Sequence, residues 1–342
     1  MGNIRVLVVD DSFFMRKVIR DMLVQHPDIE VVGEASDGKE ALEKISALHP
    51  TVVTLDIEMP RMNGIEALRD IVAVPGHPSV VMVSGYPQEG QAMTLECLSL
   101  GAADFVVKPS GSFSLDMDKV KDILLTKVVA AATADTSKIR GREPSPPGNW
   151  KYAKHGGVVI IGASTGGPAA LEGLLPELPA NFPYSIVVAQ HLPKEFTDLF
   201  IGRLQSTCAL IVTRAENGLS LDPGTIYIAA GGTNTTISKP AGKAVFVVET
   251  NTVDIETPSI SKLMASAAEV YSEKTIGVVL TGMGSDGLLG MDRIKQAGGT
   301  TLVQDEATSA VYGMGREVIE NGLADYVTPL DGLTKKINEL LV

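Results

Sequence analysis

Cysteine is nearly absent from this chain. Cys97 and Cys208 are the only two in 342 residues, and they fall in different halves. With no CxxC pair and no Cys/His ligand spacing, neither a disulfide framework nor a structural zinc site is expected. Histidine is scarce as well, at five residues, so a general base has few candidates. Basic charge is in deficit, with 29 Lys and Arg against 41 Asp and Glu and a formal net charge of −12. A nucleic-acid footprint needs Lys and Arg clustered on a face, so no nucleic-acid partner is expected. No apolar run approaches the roughly 18 residues of a membrane span, so no membrane insertion is expected. The chain enters a strand-like run at residues 4–9 with no signal-peptide pattern before it, and a cytoplasmic location is the expectation.

What is present is a regular alternation. Hydrophobic residues make up 44% of the chain, enough for each half to bury a core of its own. In the first half, apolar runs occur at residues 6–9, 29–32, 51–55, 80–83 and 105–107. Helical patterns at 13–25, 39–47 and 64–74 lie between them. Short apolar strands separated by helices predict a parallel sheet covered on both faces. Residues 141–149 then carry three prolines and two glycines, a composition that cannot hold a helix or strand. A helical pattern at 119–132 leads into this stretch. Beyond it the alternation resumes, with strands expected at 158–161, 185–189, 225–229, 244–249, 276–280 and 300–303 and helices at 168–175 and 287–297. The fold class read from this is α/β, with two parallel-sheet domains at 1–125 and 155–342 joined by a linker at 126–154.

In a parallel sheet the C-terminal strand ends line one edge, and ligands bind there. Asp10 and Asp11 end the first strand run, Asp56 the third, Ser84 the fourth and Lys108 the fifth. Carboxylates gathered so closely repel one another unless a cation lies among them, and an oxygen-only donor set suits Mg²⁺. Lys108 adds a second positive charge, and the Ser84 hydroxyl can donate to an added phosphoryl group. That is a layout for moving a phosphoryl group onto Asp56 by positioning and electrostatics. These motifs, in this order, resemble a response-regulator receiver domain of flavodoxin-like fold. The resemblance implies Asp56 as acceptor, with Asp10, Asp11, Asp56 and the Glu58 carbonyl holding Mg²⁺. It also implies Ser84, Phe105 and Lys108 as switch residues.

The second half carries Gly162-Ala163-Ser164-Thr165-Gly166 between a strand and a helix, which matches the G-x-S-x-G turn that presents a serine. A serine hydroxyl needs a base within hydrogen-bond reach. Of the two histidines in this region, His155 precedes the first strand, whereas His191 ends the second like Ser164. An acid to orient the imidazole is available at Asp286, in the glycine-rich run 281–287. The order Ser, His, Asp differs from the Ser, Asp/Glu, His of ordinary α/β-hydrolases. Together with Gln190-His191-Leu192-Pro193, Gln304-Asp305-Glu306 and Val311-Tyr312-Gly313-Met314, this set resembles the protein-glutamate methylesterase domain of the bacterial chemotaxis CheB family. A receiver, a linker and this domain make up that family's whole architecture.

The resemblance implies Ser164 as nucleophile, His191 as base and Asp286 as its orienter, with Thr165 and the Met283 backbone helping to polarise the carbonyl. No cofactor is expected in this domain. It implies hydrolysis of glutamyl methyl esters on methyl-accepting chemoreceptors with release of methanol, glutamine deamidation, and phosphorylation by the sensor histidine kinase CheA. The first domain is expected to screen Ser164 until Asp56 is phosphorylated. Two stretches depart from the family pattern. Ala229-Ala230-Gly231-Gly232-Thr233-Asn234 stands where a Pro follows the first Ala and a His ends the run. Pro258-Ser259-Ile260-Ser261 ends in Ser where an Asp is usual. Substrate contacts and turnover are what such changes would alter first. A receiver-gated hydrolase of another signalling pathway and a catalytically weak scaffold stay open as alternatives.

Overall fold

A computed structural model describes residues 3–85, 88–108, 116–139, 144–148, 150–250 and 257–342. The chain forms two compact units, Met1–Gly141 and Arg142–Val342. Among the described residues no helix is long and apolar enough to cross a membrane.

The first unit is built on strands β1 (Ile4–Val9), β2 (Ile29–Ala35), β3 (Val52–Asp56), β4 (Ser79–Ser84) and β5 (Asp104–Val107). Helices α1 (Phe13–Leu23), α2 (Gly38–Leu48), α3 (Gly64–Val72), α4 (Gln88–Leu100) and α5 (Asp116–Ala132) alternate with them. The sheet is wholly parallel, in the order β2-β1-β3-β4-β5. Every residue of β3 and β4 is buried, as a strand covered on both faces requires. Local chemistry starts the helices. Ser12 accepts the Met15 N–H at the start of α1, and Asn63 and Glu66 form a reciprocal capping box at the start of α3. Helix α5 carries the helical pattern read at 119–132 through to Ala132, beyond position 125.

The second unit holds a seven-stranded parallel sheet and a separate antiparallel ribbon. Its strands are β6 (Val158–Ala163), β7 (Ser185–Gln190), β8 (Ile211–Arg214), β9 (Thr225–Ile228), β10 (Asn234–Ser238), β11 (Val245–Glu249), β12 (Thr275–Val279), β13 (Thr300–Gln304) and β14 (Tyr326–Thr328). The helices are α6 (Gly167–Leu174), α7 (Thr197–Thr207), α8 (Ile260–Tyr271), α9 (Leu288–Gln296), α10 (Gly313–Glu320) and α11 (Leu330–Leu341). The main sheet runs β14-β13-β12-β6-β7-β9-β8, while β10 and β11 pair antiparallel. The strand expected at 244–249 is therefore β11 of the ribbon, not a strand of the parallel sheet. Its core gathers Ile160 and Val187 of the sheet with Leu263, Met264 and Met291 of α8 and α9. Of the proline-rich stretch, residues 141–143 and 149 lie outside the described residues. Within 144–148, the Ser145 N–H donates to Glu177 at 3.0 Å.

Candidate active and phosphoryl-accepting sites

The second unit has its topological switch at β6, which pairs with β7 on one side and β12 on the other. In open parallel sheets the crevice at such a point is where ligands bind. Ser164 follows β6 directly. The register Ala163↔Gln190 between β6 and β7 sets Ser164 beside His191. His191 Nδ1 lies 3.2 Å from Ser164 Oγ, and His191 Nε2 lies 3.1 Å from Asp286 Oδ2. A carboxylate only accepts, so the ring proton belongs on Nε2, and Nδ1 is left to accept the Ser164 O–H. His155 is exposed and precedes β6, at the far end of that strand from Ser164.

Backbone geometry makes room for this row. Gly282 backs onto Ser164, and a methyl on its Cα would fall 2.8 Å from Ser164 Cβ and 2.3 Å from Met314 Sδ. Gly166 caps α6 with φ 77°, which turns the chain from strand to helix immediately after Ser164 and Thr165. Gln190 donates from Nε2 to the Ser164 carbonyl at 3.0 Å, and Thr281 Oγ1 donates to the Thr165 carbonyl at 3.0 Å. Met283 lies in the loop between β12 and α9, partly exposed.

Asp286 is held by more than the imidazole. Its oxygens accept from the amides of Ile260 (2.7 Å), Ser261 (2.9 Å) and Gly287 (2.9 Å). The first two belong to the N-terminus of α8, where unpaired amides and the helix dipole favour an anion. Burial is the largest single influence and pushes the carboxyl pKa up. The His191 contact and the Ser261 and Ile260 amides together outweigh it and hold the group at about 2. The Ile260 and Ser261 amides were missed in the sequence reading. A signal for them existed in Ser259, an N-cap residue standing before an apolar helical run.

The first unit repeats the logic at its own switch point, between β1 and β3. The register Val9↔Leu55 brings Asp10 and Asp56 alongside each other. Carboxylate oxygens of Asp10, Asp11 and Asp56 lie within 4.8 Å of one another. Lys108 Nζ sits 2.8 Å from Asp10 Oδ2 and 2.7 Å from Asp56 Oδ2. Three carboxylates against one ammonium form an oxygen donor set with negative charge to spare, which fits a hard divalent cation such as Mg²⁺. Glu58 lines a pocket beside this cluster, together with Asp11, Met59, Pro60, Asn63 and Met93. Burial raises Asp56 to about 6, and the Lys108 contact and the Ile57 amide offset only part of that effect. Lys108 is raised: burial is the largest influence and acts downward, but the two carboxylates overcome it. The Ser84 hydroxyl, buried, donates to the Gly85 carbonyl at 3.2 Å, and the Ser84 carbonyl accepts the Lys108 N–H at 2.8 Å. Phe105 is fully buried. Lys127 stands 4.8 Å from its ring centroid and donates to the Asp104 carboxylate at 2.6 Å.

A family model for the CheB methylesterase matches residues 159–337, and one for the response regulator receiver domain matches residues 6–117. The chain belongs to the CheB methylesterase family. A relative in Thermotoga maritima, named a protein-glutamate methylesterase/protein-glutamine glutaminase, is 44% identical over 340 residues, covering 99% of this chain and 98% of that one. A relative of the same name in Geobacillus kaustophilus is also 44% identical, over 350 residues, covering 100% of this chain and 99% of its own. The crystal structure of the Thermotoga maritima CheB methylesterase catalytic domain matches with TM-score 0.53 and 42% identity, covering 55% of this chain and all of that one. The CheB assignment accounts for both units at once, since a receiver and a methylesterase domain are matched in the order in which the chain carries them. Within this CheB chain the two departures read from the sequence both meet the start of α8, whose amides bind Asp286. Asn234 Oδ1 accepts the Ser259 N–H at 2.9 Å, and Ser261 Oγ accepts the Gly287 N–H at 2.7 Å.

Proposed function

We propose that this chain hydrolyses γ-methyl glutamyl esters on the cytoplasmic helices of methyl-accepting chemoreceptors, releasing methanol, under control of phosphorylation at Asp56. The observation that carries the reading is the row Ser164–His191–Asp286, joined by contacts of 3.2 and 3.1 Å at the switch point of the sheet. In this reading the Ser164 oxygen attacks the ester carbonyl while its proton passes to His191 Nδ1. The imidazolium so formed is stabilised through Nε2–H by Asp286, whose low pKa keeps it ionised. Negative charge on the carbonyl oxygen is met by the amides of Thr165 and Met283. Collapse of the tetrahedral adduct breaks the C–O bond to the methoxy group, which leaves as methanol with the proton from Nδ1. Water, deprotonated by the same nitrogen, then attacks the glutamyl–Ser164 ester and frees the carboxylate and the serine. A glutamine side chain enters the same route with ammonia as the leaving group.

In the receiver unit, Asp56 is the phosphoryl acceptor. Asp10, Asp11, Asp56 and the Glu58 carbonyl would hold Mg²⁺, which when bound neutralises charge on the carboxylates and the incoming phosphoryl oxygens. Lys108 supplies a fixed positive charge and Ser84 a hydroxyl donor. A histidine kinase of the CheA class is the phosphodonor in this reading. The decisive experiment is methanol release from methyl-labelled receptor membranes. Ser164→Ala is expected to lower kcat by a factor on the order of 10⁶. A variant that releases methanol at the parent rate would remove Ser164 from the mechanism.

A further inference from the structure

Residues 229–234, which lead from β9 into the first residue of β10, contact the elements on either side of the imidazole–carboxylate pair. On one side they are bound to the strand and loop that carry His191. The Ala229 N–H donates to the Val188 carbonyl at 2.9 Å, and the Gly231 N–H donates to Thr197 Oγ1 at 3.2 Å. Gly231 lies so close to the residue after His191 that a methyl on its Cα would fall 1.9 Å from the Leu192 carbonyl oxygen. Thr233 closes the turn by donating to the Ala230 carbonyl at 2.7 Å. On the other side, Asn234 is 1% exposed and accepts the Ser259 N–H at 2.9 Å. Ser259 caps α8 by accepting the Lys262 N–H at 3.3 Å. The next two amides along, those of Ile260 and Ser261, are the ones that bind Asp286.

We propose that Asn234 is a positioning residue for Asp286. Its side-chain oxygen holds the Ser259 turn, and with it the Ile260 and Ser261 amides, at the distance from the His191 loop at which the carboxylate meets Nε2. The inference rests on the Ser164–His191–Asp286 reading above. Its physical basis is that Asp286 and His191 come from loops 95 positions apart, so their contact depends on what braces the two loops. Asp286 is fastened to the start of α8, and His191 follows β7. The 229–234 segment packs against the His191 loop and ends on the side chain that grips the α8 cap. An amide N–H left without its acceptor in the interior costs its full desolvation, so the Ser259 turn would move to find another partner. The Ile260 and Ser261 amides would move with it. Ser261 supports the same arrangement from below, since its hydroxyl ties the first turn of α8 to the residue after Asp286.

The test uses the full-length protein and two readouts of the serine. One is the rate at which a fluorophosphonate labels Ser164. The other is kcat and KM for methanol release from methylated receptor membranes. Asn234→Leu keeps the volume and removes the acceptor, and Asn234→Asp keeps an acceptor oxygen in place. Asn234→Leu is expected to lower kcat and the labelling rate by about 10-fold to 100-fold, the scale of a misplaced catalytic group, with KM within about twofold of the parent. The low-field proton resonance of His191 Nε2–H should shift or broaden. Asn234→Asp should recover most of the rate and the resonance. Asn234→Ala, which cannot clash, carries the same test if Asn234→Leu does not fold. A folded Leu or Ala variant with parental kcat, labelling and resonance overturns the proposal. So does an effect confined to KM, or an Asp variant as slow as the Leu variant. If the unaltered protein is not labelled at Ser164, it is the underlying active-site reading that fails, whatever Asn234 does.

Discussion

Asp286, half-buried, and Asp56, buried, are both aspartates at sheet switch points, yet their carboxyls are driven in opposite directions. For each, burial is the largest influence and acts upward. Asp286 overcomes it with an imidazole and two helix-terminal amides reserved to itself, and settles at about 2. Asp56 has one amide and an ammonium that it shares with Asp10, whose own charge pushes it further up, and it settles at about 6. The number of unshared donors decides the outcome. An acid that orients an imidazolium must stay charged at every working pH. An acceptor in a carboxylate cluster gains its remaining stabilisation from a cation. The Asp286 shift has a consequence for stability. Its pKa is lower in the fold than in the unfolded chain, so the stabilisation is complete above the ordinary carboxylate range and is lost as pH falls towards 2. Against Asp286→Asn, the unaltered protein should lose about 2 kcal/mol of its stability advantage between pH 5 and pH 2, measured by urea unfolding across that range. A difference that is constant with pH would mean that Asp286 is not held as described.

At the scale of elements, Ser164, His191, Asp10, Asp56, Ser84 and Lys108 each end or directly follow a parallel strand, so a strand that shifts carries its side chain with it. Gly282 shows how little freedom remains, because its missing Cβ leaves room for Ser164 and for Met314 of α10. Gly282→Ala should cost about 1–3 kcal/mol by overpacking and lower methanol release by displacing Ser164. Gly202→Ala, inside α7 with open space around it, should instead stabilise the protein by about 0.5–1 kcal/mol. Urea unfolding of both variants checks the contrast. The same density explains what could be read from the sequence. Strands β3, β4, β6 and β7 are buried throughout, and β1 is buried from Val6 on, so they appear as largely apolar runs, and the polar residues that end them are conspicuous. Strands β8 and β14 lie at the sheet edges, are four and three residues long, and expose Ile211 and Val327. They carry no such run and were not anticipated. Strand β10 begins with Asn234, Thr235 and Thr236, polar residues that form no apolar run, and it pairs only with β11 of the ribbon. The donors around Asp286 were hidden for a related reason. They are backbone amides, and every residue type except proline supplies one.

At the scale of the whole molecule, two sheets place their chemistry in the same way, at the C-terminal edge beside the switch strand, and one covalent chain joins them. Asp10, Asp56 and Lys108 belong to the first unit, and Ser164, His191 and Asp286 to the second. A phosphoryl group on Asp56 adds charge to a buried cluster that already pairs with Lys108, whose backbone is bonded to that of Ser84 at the end of β4. Rearrangement there would reach β5 and Phe105, which Lys127 of α5 holds through its ring and through Asp104. A tenfold rise in esterase rate requires about 1.4 kcal/mol of differential stabilisation between the inhibited and active states, and a near-complete switch from 1:99 to 99:1 requires about 5.5 kcal/mol. With a small phosphodonor and Mg²⁺, methanol release by the full chain should rise, and Asp56→Asn should abolish both phosphoryl labelling and the rise. Residues 142–342 alone should release methanol faster than the unphosphorylated full chain and show no response to the phosphodonor. If the isolated unit is no faster than the full chain, the first unit exerts no inhibition, and phosphorylation must act by promoting catalysis directly.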